Sequence, residues 1–239
     1  MYGYTDEDFL VNIKSPFDVS NRLLMIADNI QTTYNKRNQT SDNIVEYIIK
    51  TTSSKVGNYM VFFPSYKYME LVYNKLMEEL ENKDIEVSIQ SNSMTEKEKE
   101  DFLDKFNEEN NKTHIGFCVL GGHFSEGIDL TYDKLIGVII VGVGMPQIGI
   151  ERDIIKEQMN ENNNGFDYAY VYPGITKVLQ AAGRCIRTDE DRGVIMLIDS
   201  RYSQNKYRQL FPYEWYPNIK IRNSSEIKKH CDEFWINDN

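Results

Sequence analysis

Four short apolar runs constrain this chain more than anything else in it. They are NYMVFF at 58–63, HIGFCVL at 114–120, LIGVIIVGV at 135–143 and GVIMLID at 193–199. The third is the most strand-like, with Ile136, Val138, Ile139, Ile140 and Val141 almost unbroken. A strand with one wet face alternates polar and apolar residues. A run without alternation needs cover on both faces, as parallel sheets have. The intervening stretches have helical patterns. After Ser65, residues Met69, Val72, Leu76 and Leu80 fall on one side of a helix. Thr95 with Glu98 forms a capping box, opening a charged helix whose Phe102, Leu103 and Phe106 face inward. Ser41-Asp42 caps a helix carrying Ile44, Val45, Ile48 and Ile49, and residues 29–43 read as a polar connection. Shorter strands are expected at 22–28 and 85–90, a helix and loop at 150–165, and a last helix at 225–235. Strands alternating with helices give an α/β fold, a mostly parallel sheet between two helical layers with right-handed crossovers. The chain divides into a lead-in segment over about 1–43, a core over about 44–210 and a C-terminal extension over about 211–239.

At 239 residues the chain is long enough to bury a full core. No apolar run approaches the roughly 18 residues that span a bilayer, so no membrane partner is expected. The acidic start lacks the basic and apolar parts of a signal peptide. Cys118, Cys185 and Cys231 are scattered without a CxxC pair, which predicts a reducing, cytoplasmic setting and no metal site. The formal net charge of −10 argues against a broad, non-specific duplex-binding surface, which is normally basic. A narrow groove for one strand remains open to it.

Two stretches could carry chemistry. In KVLQAAGRCIR at 177–187, a helix starting after Pro173-Gly174 with Thr176 as its cap would put Gln180, Arg184 and Arg187 on one face. Gly183 between them costs a helix roughly 1 kcal/mol against alanine, so something other than helix formation wants it. An amide with two guanidinium forks suits a polyphosphate, because guanidinium donors match phosphate oxygens in pairs. An amphipathic helix with solvated arginines fits the same spacing. In GGHFSEGIDL at 121–130, the glycines Gly121, Gly122 and Gly127 let backbone amides approach a phosphate or sugar, with Glu126 and Asp129 beside them. A glycine-rich turn with exposed acids fits equally. Ligands of open α/β sheets bind beyond the carboxyl ends of strands. Three polar stretches are expected at such ends: residues 64–66, residues 121–130, and the arginine stretch just before the last strand of the core.

Several patterns are absent or fail. No GxxxxGK[ST] loop and no acidic DEAH-like box exists in the chain. GVGMPQIG at 142–149 has Gln147 where a dinucleotide fingerprint needs glycine, and His123 spoils a nucleophile elbow in GHFSEG. His114, His123 and His230 have no partner at ligand spacing and read as structural, and Cys185 as packed.

Taken together, the motifs resemble a known family. QxxGRxxR resembles motif VI of superfamily-two helicases, and QAAGRCIRTDEDRGVIMLID at 180–199 is similar to the XPD/DinG group of DNA helicases. SEGID at 125–129 resembles motif V of that group, VFFPSY at 61–66 its motif IV, and SPF followed by NR at 15–22 the stretch that enters its second motor domain. The likeness is in order and covers almost the whole chain. It implies a three-layer RecA-like domain, a P-loop NTPase-type fold without its own P-loop, forming the C-terminal half of an ATP-dependent DNA helicase. By that resemblance Arg184 and Arg187 act on the γ-phosphate and Gln180 on the neighbouring water or phosphate. Gly127, Asp129, Glu126 and Gly183 belong to the nucleotide side. Ser65, Tyr66, Ser125 and Gly122 touch single-stranded DNA. ATP and magnesium are held mainly by an N-terminal motor domain of the same protein, travel is 5′-to-3′, and this chain alone does not turn over ATP. A non-hydrolytic nucleic-acid or partner-binding module derived from a helicase half is the rival, and a nuclease-coupled relative a second.

Overall fold

The apolar runs become the middle of a seven-stranded sheet. The computed structural model describes residues 9, 15–80, 85–108, 111–124, 134–160 and 164–236. In chain order the elements are β1 (Arg22–Ala27), α1 (Arg37–Thr52), β2 (Asn58–Phe63), α2 (Tyr66–Glu79), β3 (Ile85–Ile89), α3 (Glu96–Leu103) and β4 (Thr113–Val119). There follow β5 (Gly137–Val141), α4 (Ile150–Gln158), α5 (Tyr172–Ala182), β6 (Gly193–Ile198), α6 (Asn205–Arg208), β7 (Ile219–Ile221) and α7 (Ser224–Ile236). The strand order is β3-β4-β2-β5-β6-β1-β7 and every pairing is parallel. Every residue of β2, β4, β5 and β6 is buried, as unalternating runs require.

Two cores cover the two faces. One packs Ile44 and Ile48 of α1, Met69, Val72 and Leu76 of α2, and Ile227, Cys231 and Trp235 of α7 against Met25, Val61, Ile139 and Met196. The other packs Phe102 of α3, Val178 and Ala181 of α5, and Tyr202, Phe211 and Trp215 against Leu24, Phe62, Ile140 and Leu197. The fold is therefore the expected three-layer α/β arrangement, here wholly parallel. The capping box at Thr95 and Glu98 forms with both its bonds.

Three expectations need correction. Helix α1 begins at Arg37, not after Ser41-Asp42, and Ser41 lies inside it donating to Asn38 O. The extra turn carries only polar residues, so hydrophobic spacing could not reveal it. The edge strand β7 gave no signal, because three residues are too few to show alternation. The third correction concerns α5. It does not start at Thr176: a π-helical turn over Asp167–Val171 leads straight into it, Pro173 sits in its first turn, and Thr176 Oγ1 donates back to Tyr172 O at 2.8 Å. Proline lacks an N–H, and it stands directly after the π turn, where the regular i→i−4 ladder is already interrupted.

Candidate functional site

At the carboxyl ends of the central strands the chain builds a concavity of about 550 Å³. Four segments meet there: residues 32–37 after β1, Pro64 and Ser65 after β2, Gly142–Ile148 after β5, and Arg201 after β6. The turn after β5 is possible because Gly142 and Gly144 take φ of +85° and +66°. A Cβ on Gly144 would lie 2.6 Å from Gly174 O, and one on Gly174 would lie 2.6 Å from Val143 O, so helix α5 and this turn touch backbone to backbone. Tyr202, fully buried, donates its hydroxyl to Gly142 O at 2.6 Å and holds the turn from below.

The polar floor is one network. Asp199 has no exposed surface and accepts from Arg201 Nε and Nη2, both at 2.8 Å, from Arg201 N, and from the Thr32 hydroxyl. Burial opposes the Arg201 charge, but the Asp199 carboxylate outweighs it and holds the guanidinium above its ordinary pKa. Arg37 is different. Its Nε and Nη1 make only long bonds, 3.4 Å each, to Thr32 O and Ser65 Oγ, and its guanidinium lies over the Tyr68 ring at 4.5 Å. Burial, and then the nearby Arg201, push its pKa down. Among the described residues no carboxylate lines the open concavity, Asp199 lying beneath it in its pair with Arg201, although the chain carries a net charge of −10.

Of Ser65 and Tyr66, expected to touch nucleic acid, Ser65 lines this concavity and Tyr66 follows it at the start of α2. Ser65 caps α2, its hydroxyl accepting from Tyr68 N. Tyr66 OH accepts from Gln90 Nε2 at 3.1 Å, and Gln90 Oε1 accepts from Val119 N at 2.9 Å. Buried Gln90 thus ties the start of α2 to the end of β4, where a Cβ on Gly122 would lie 3.0 Å from Gln90 Nε2. Gln90 was missed as a residue of interest, being a single amide at a strand end. Ser125, Glu126, Gly127 and Asp129 lie outside the described residues.

The arginines are elsewhere. Helix α5 ends at Ala182 with Gly183 as its C-cap, so Arg184 and Arg187 follow the helix and do not share its face with Gln180. The helix also runs back along the sheet, so Arg184 and Arg187 sit at the amino end of β6 and do not join the carboxyl-end cluster. Asn21, just ahead of β1, donates to Asp189 O there. A six-residue strand is about 20 Å long, and that length separates the two regions. A buried carboxylate organises the arginine segment. Asp191 Oδ2 accepts from Arg187 N at 2.6 Å and Thr188 N at 2.7 Å, while Thr188 Oγ1 accepts from Glu190 N and Asp191 N. Buried Cys185 packs its sulfur under Gly193 and has its pKa pushed up to about 12 by burial, so it is inert, as expected. Gln180 is exposed on the last turn of α5, and Arg184 and Arg187 are half-buried.

A family model described as Helicase C-terminal domain matches residues 48–218. The ATP-dependent DNA helicase XPD of Sulfolobus acidocaldarius is 27% identical over 220 residues, covering 88% of this chain and 34% of that protein. The 3′-5′ exonuclease DinG of Staphylococcus saprophyticus is 26% identical over 204 residues, covering 80% of this chain and 20% of that protein. Among solved structures, an apo XPD superposes with a TM-score of 0.68 at 19% identity, over 84% of this chain and 40% of that one, which shows the shared RecA-like fold. The chain spans roughly a third or less of the length of these curated relatives.

Proposed function

We propose a role for this chain from its family: it belongs to the helicase C-terminal domain family, and we read it as the second motor lobe of an ATP-dependent DNA helicase. One observation carries the reading beyond the family. The same strand, β6, has the clamped Arg184–Arg187 segment at its amino end and the basin with Arg37 and Lys67 at its carboxyl end. A motor needs a nucleotide-sensing group and a strand-gripping surface on one rigid body, and a central buried strand is such a body.

In this reading ATP binds in a cleft between this lobe and an N-terminal lobe that carries the phosphate-cradling loop and most of the magnesium coordination. Arg184 and Arg187 reach across to the γ-phosphate, where guanidinium charge stabilises the transition state. Gln180 lies next to them and couples the phosphate region to closure. Gly183 ends the helix so that the arginines leave it on a turn and the irregular segment that follows. Glu126, Gly127 and Asp129 contact the nucleotide or the facing lobe. Ser65, Tyr66, Gly122 and Ser125 line the path of a single DNA strand, and closure and reopening of the cleft move that strand, 5′-to-3′. The chain alone lacks the phosphate loop and does not hydrolyse ATP.

The test is ATP turnover with and without single-stranded DNA. It compares this chain alone, the chain expressed with the coding sequence that precedes it, and the longer form carrying Arg187→Ala. Only the longer form should turn over, DNA should stimulate it, and the substitution should lower kcat about a thousandfold or more. A longer form indifferent to Arg187 would end the finger assignment and favour a non-hydrolytic binding module.

A further inference from the structure

The basin beneath Ser65 holds two cations without a carboxylate partner among the described residues. Arg201 is neutralised by Asp199, but Arg37 and Lys67 make no ion pair with any carboxylate among the described residues. A half-buried guanidinium loses hydration, and structure normally compensates with an anion. Here the compensation within the fold is two long bonds to neutral oxygens and the faces of Tyr68 and Tyr34. The surroundings favour an anion as well. Helix α2 presents its amino terminus at Ser65. The left-handed Gly142 and Gly144 open the opposite wall. Tyr34 is exposed at the rim, where a ring face could take a base. In a chain of net charge −10, a concavity that presents Arg37 and Lys67, with Arg201 already paired to Asp199 beneath it and no other carboxylate beside it among the described residues, favours an anion.

The geometry points to a phosphate-binding subsite in which Arg37 donates to a phosphodiester of a bound DNA strand, Lys67 closes it from the rim, and Thr32, Asp199 and Arg201 form its fixed floor. This deepens the strand-gripping reading and rests on it. No sequence motif expected to touch nucleic acid includes Arg37, Lys67 or Thr32.

Binding of a labelled oligothymidylate to the 239-residue chain, followed by fluorescence anisotropy across a salt series, tests it. Arg37→Met should weaken binding about tenfold, as loss of a charge-assisted bond does, and should lower the slope of log K against log salt by about 0.7, the share of one phosphate contact on a single strand. Arg37→Lys should keep the slope, which a purely structural role for the guanidinium would not predict. Exposed Lys67→Met should lower the slope similarly and cannot unfold the core. Unchanged slopes in the Met variants, with wild-type binding intact, would overturn the subsite and leave strand gripping standing. No binding by the wild-type chain would overturn both. Inorganic phosphate or ATP that raises the melting temperature of wild type but not of Arg37→Met, with oligonucleotide binding indifferent to the substitution, would assign the pocket to a free phosphate and also overturn the proposal.

Discussion

His114 shows how a residue with no place in the chemistry still governs behaviour. It is buried at the start of β4, its Nε2 3.0 Å from Ser88 Oγ, which also accepts from Lys105 Nζ, while its Nδ1 has no hydrogen-bond partner. Burial, and then the Lys105 charge, push its pKa down from 6.5 to about 4. The folded state therefore favours the neutral ring. Stability from this residue is fully present above about pH 6.5 and is lost as pH falls toward 4, because the unfolded ring takes up its proton first. The wild-type chain should lose about 2 kcal/mol between about pH 7.5 and about pH 5 through this group, and His114→Gln should flatten that dependence. Urea midpoints at the two pH values measure it; equal losses in both proteins would assign the effect to carboxylates instead. The sequence supports the structural reading of His114, since it lies in an apolar run. It could not show Thr32 and Arg37, whose partners Asp199 and Ser65 are 167 and 28 residues away. Polar residues in a polar connection carry no periodicity, and only the fold brings their partners together.

At the scale of elements, legibility followed burial. Helices α2 and α3 were readable because their caps, Ser65 and Thr95, stand directly before apolar spacing. Helix α5 was misplaced at both ends for local reasons. Pro173-Gly174 reads as punctuation, yet the proline fills a first-turn position and Gly174 is needed for contact, not for a break. At the other end QAAGRCIR continues a helical spacing, but the helix stops at Ala182 and backbone bonds from Arg187 and Thr188 to Asp191 replace it. That packing makes Gly174 the most exacting position of the helix. Adding a Cβ 2.6 Å from Val143 O and 3.1 Å from Met145 N meets backbone, which cannot rotate away. Gly174→Ala should favour the helix intrinsically by up to about 1 kcal/mol, yet destabilise the protein by about 1–3 kcal/mol through overpacking. A rise in melting temperature would mean that α5 can slide and that the contact with the Gly144 turn is not tight.

Across the whole molecule, the central sheet was the most legible feature and the two-ended site the least. Unalternating runs demanded cover on both faces, and β2, β4, β5 and β6 received it. Which end of the sheet each polar segment occupies depends on helix direction, so a reading by strand order placed the arginines too near the basin. The resulting charge map makes a definite claim about nucleic acid. Net charge is −10, and the positive charge that faces the basin comes from Arg37 and Lys67, Arg201 being paired with Asp199. Two contacts on a single strand give a slope of log K against log salt of about −1.4. A broad basic surface making 6 or more contacts would give about −4 or steeper by the same relation. Salt should also act in a second way. Near 0.01 M the screening length grows to about 30 Å, so the acidic remainder of the molecule repels the strand as well. Affinity for an oligothymidylate should therefore stop rising, and bend over, as salt is lowered below about 0.05 M, where a basic binder continues to tighten. A titration across salt that stays straight and steep at low ionic strength would contradict a local basin on an acidic body, and would require a larger basic surface than this lobe possesses among its described residues.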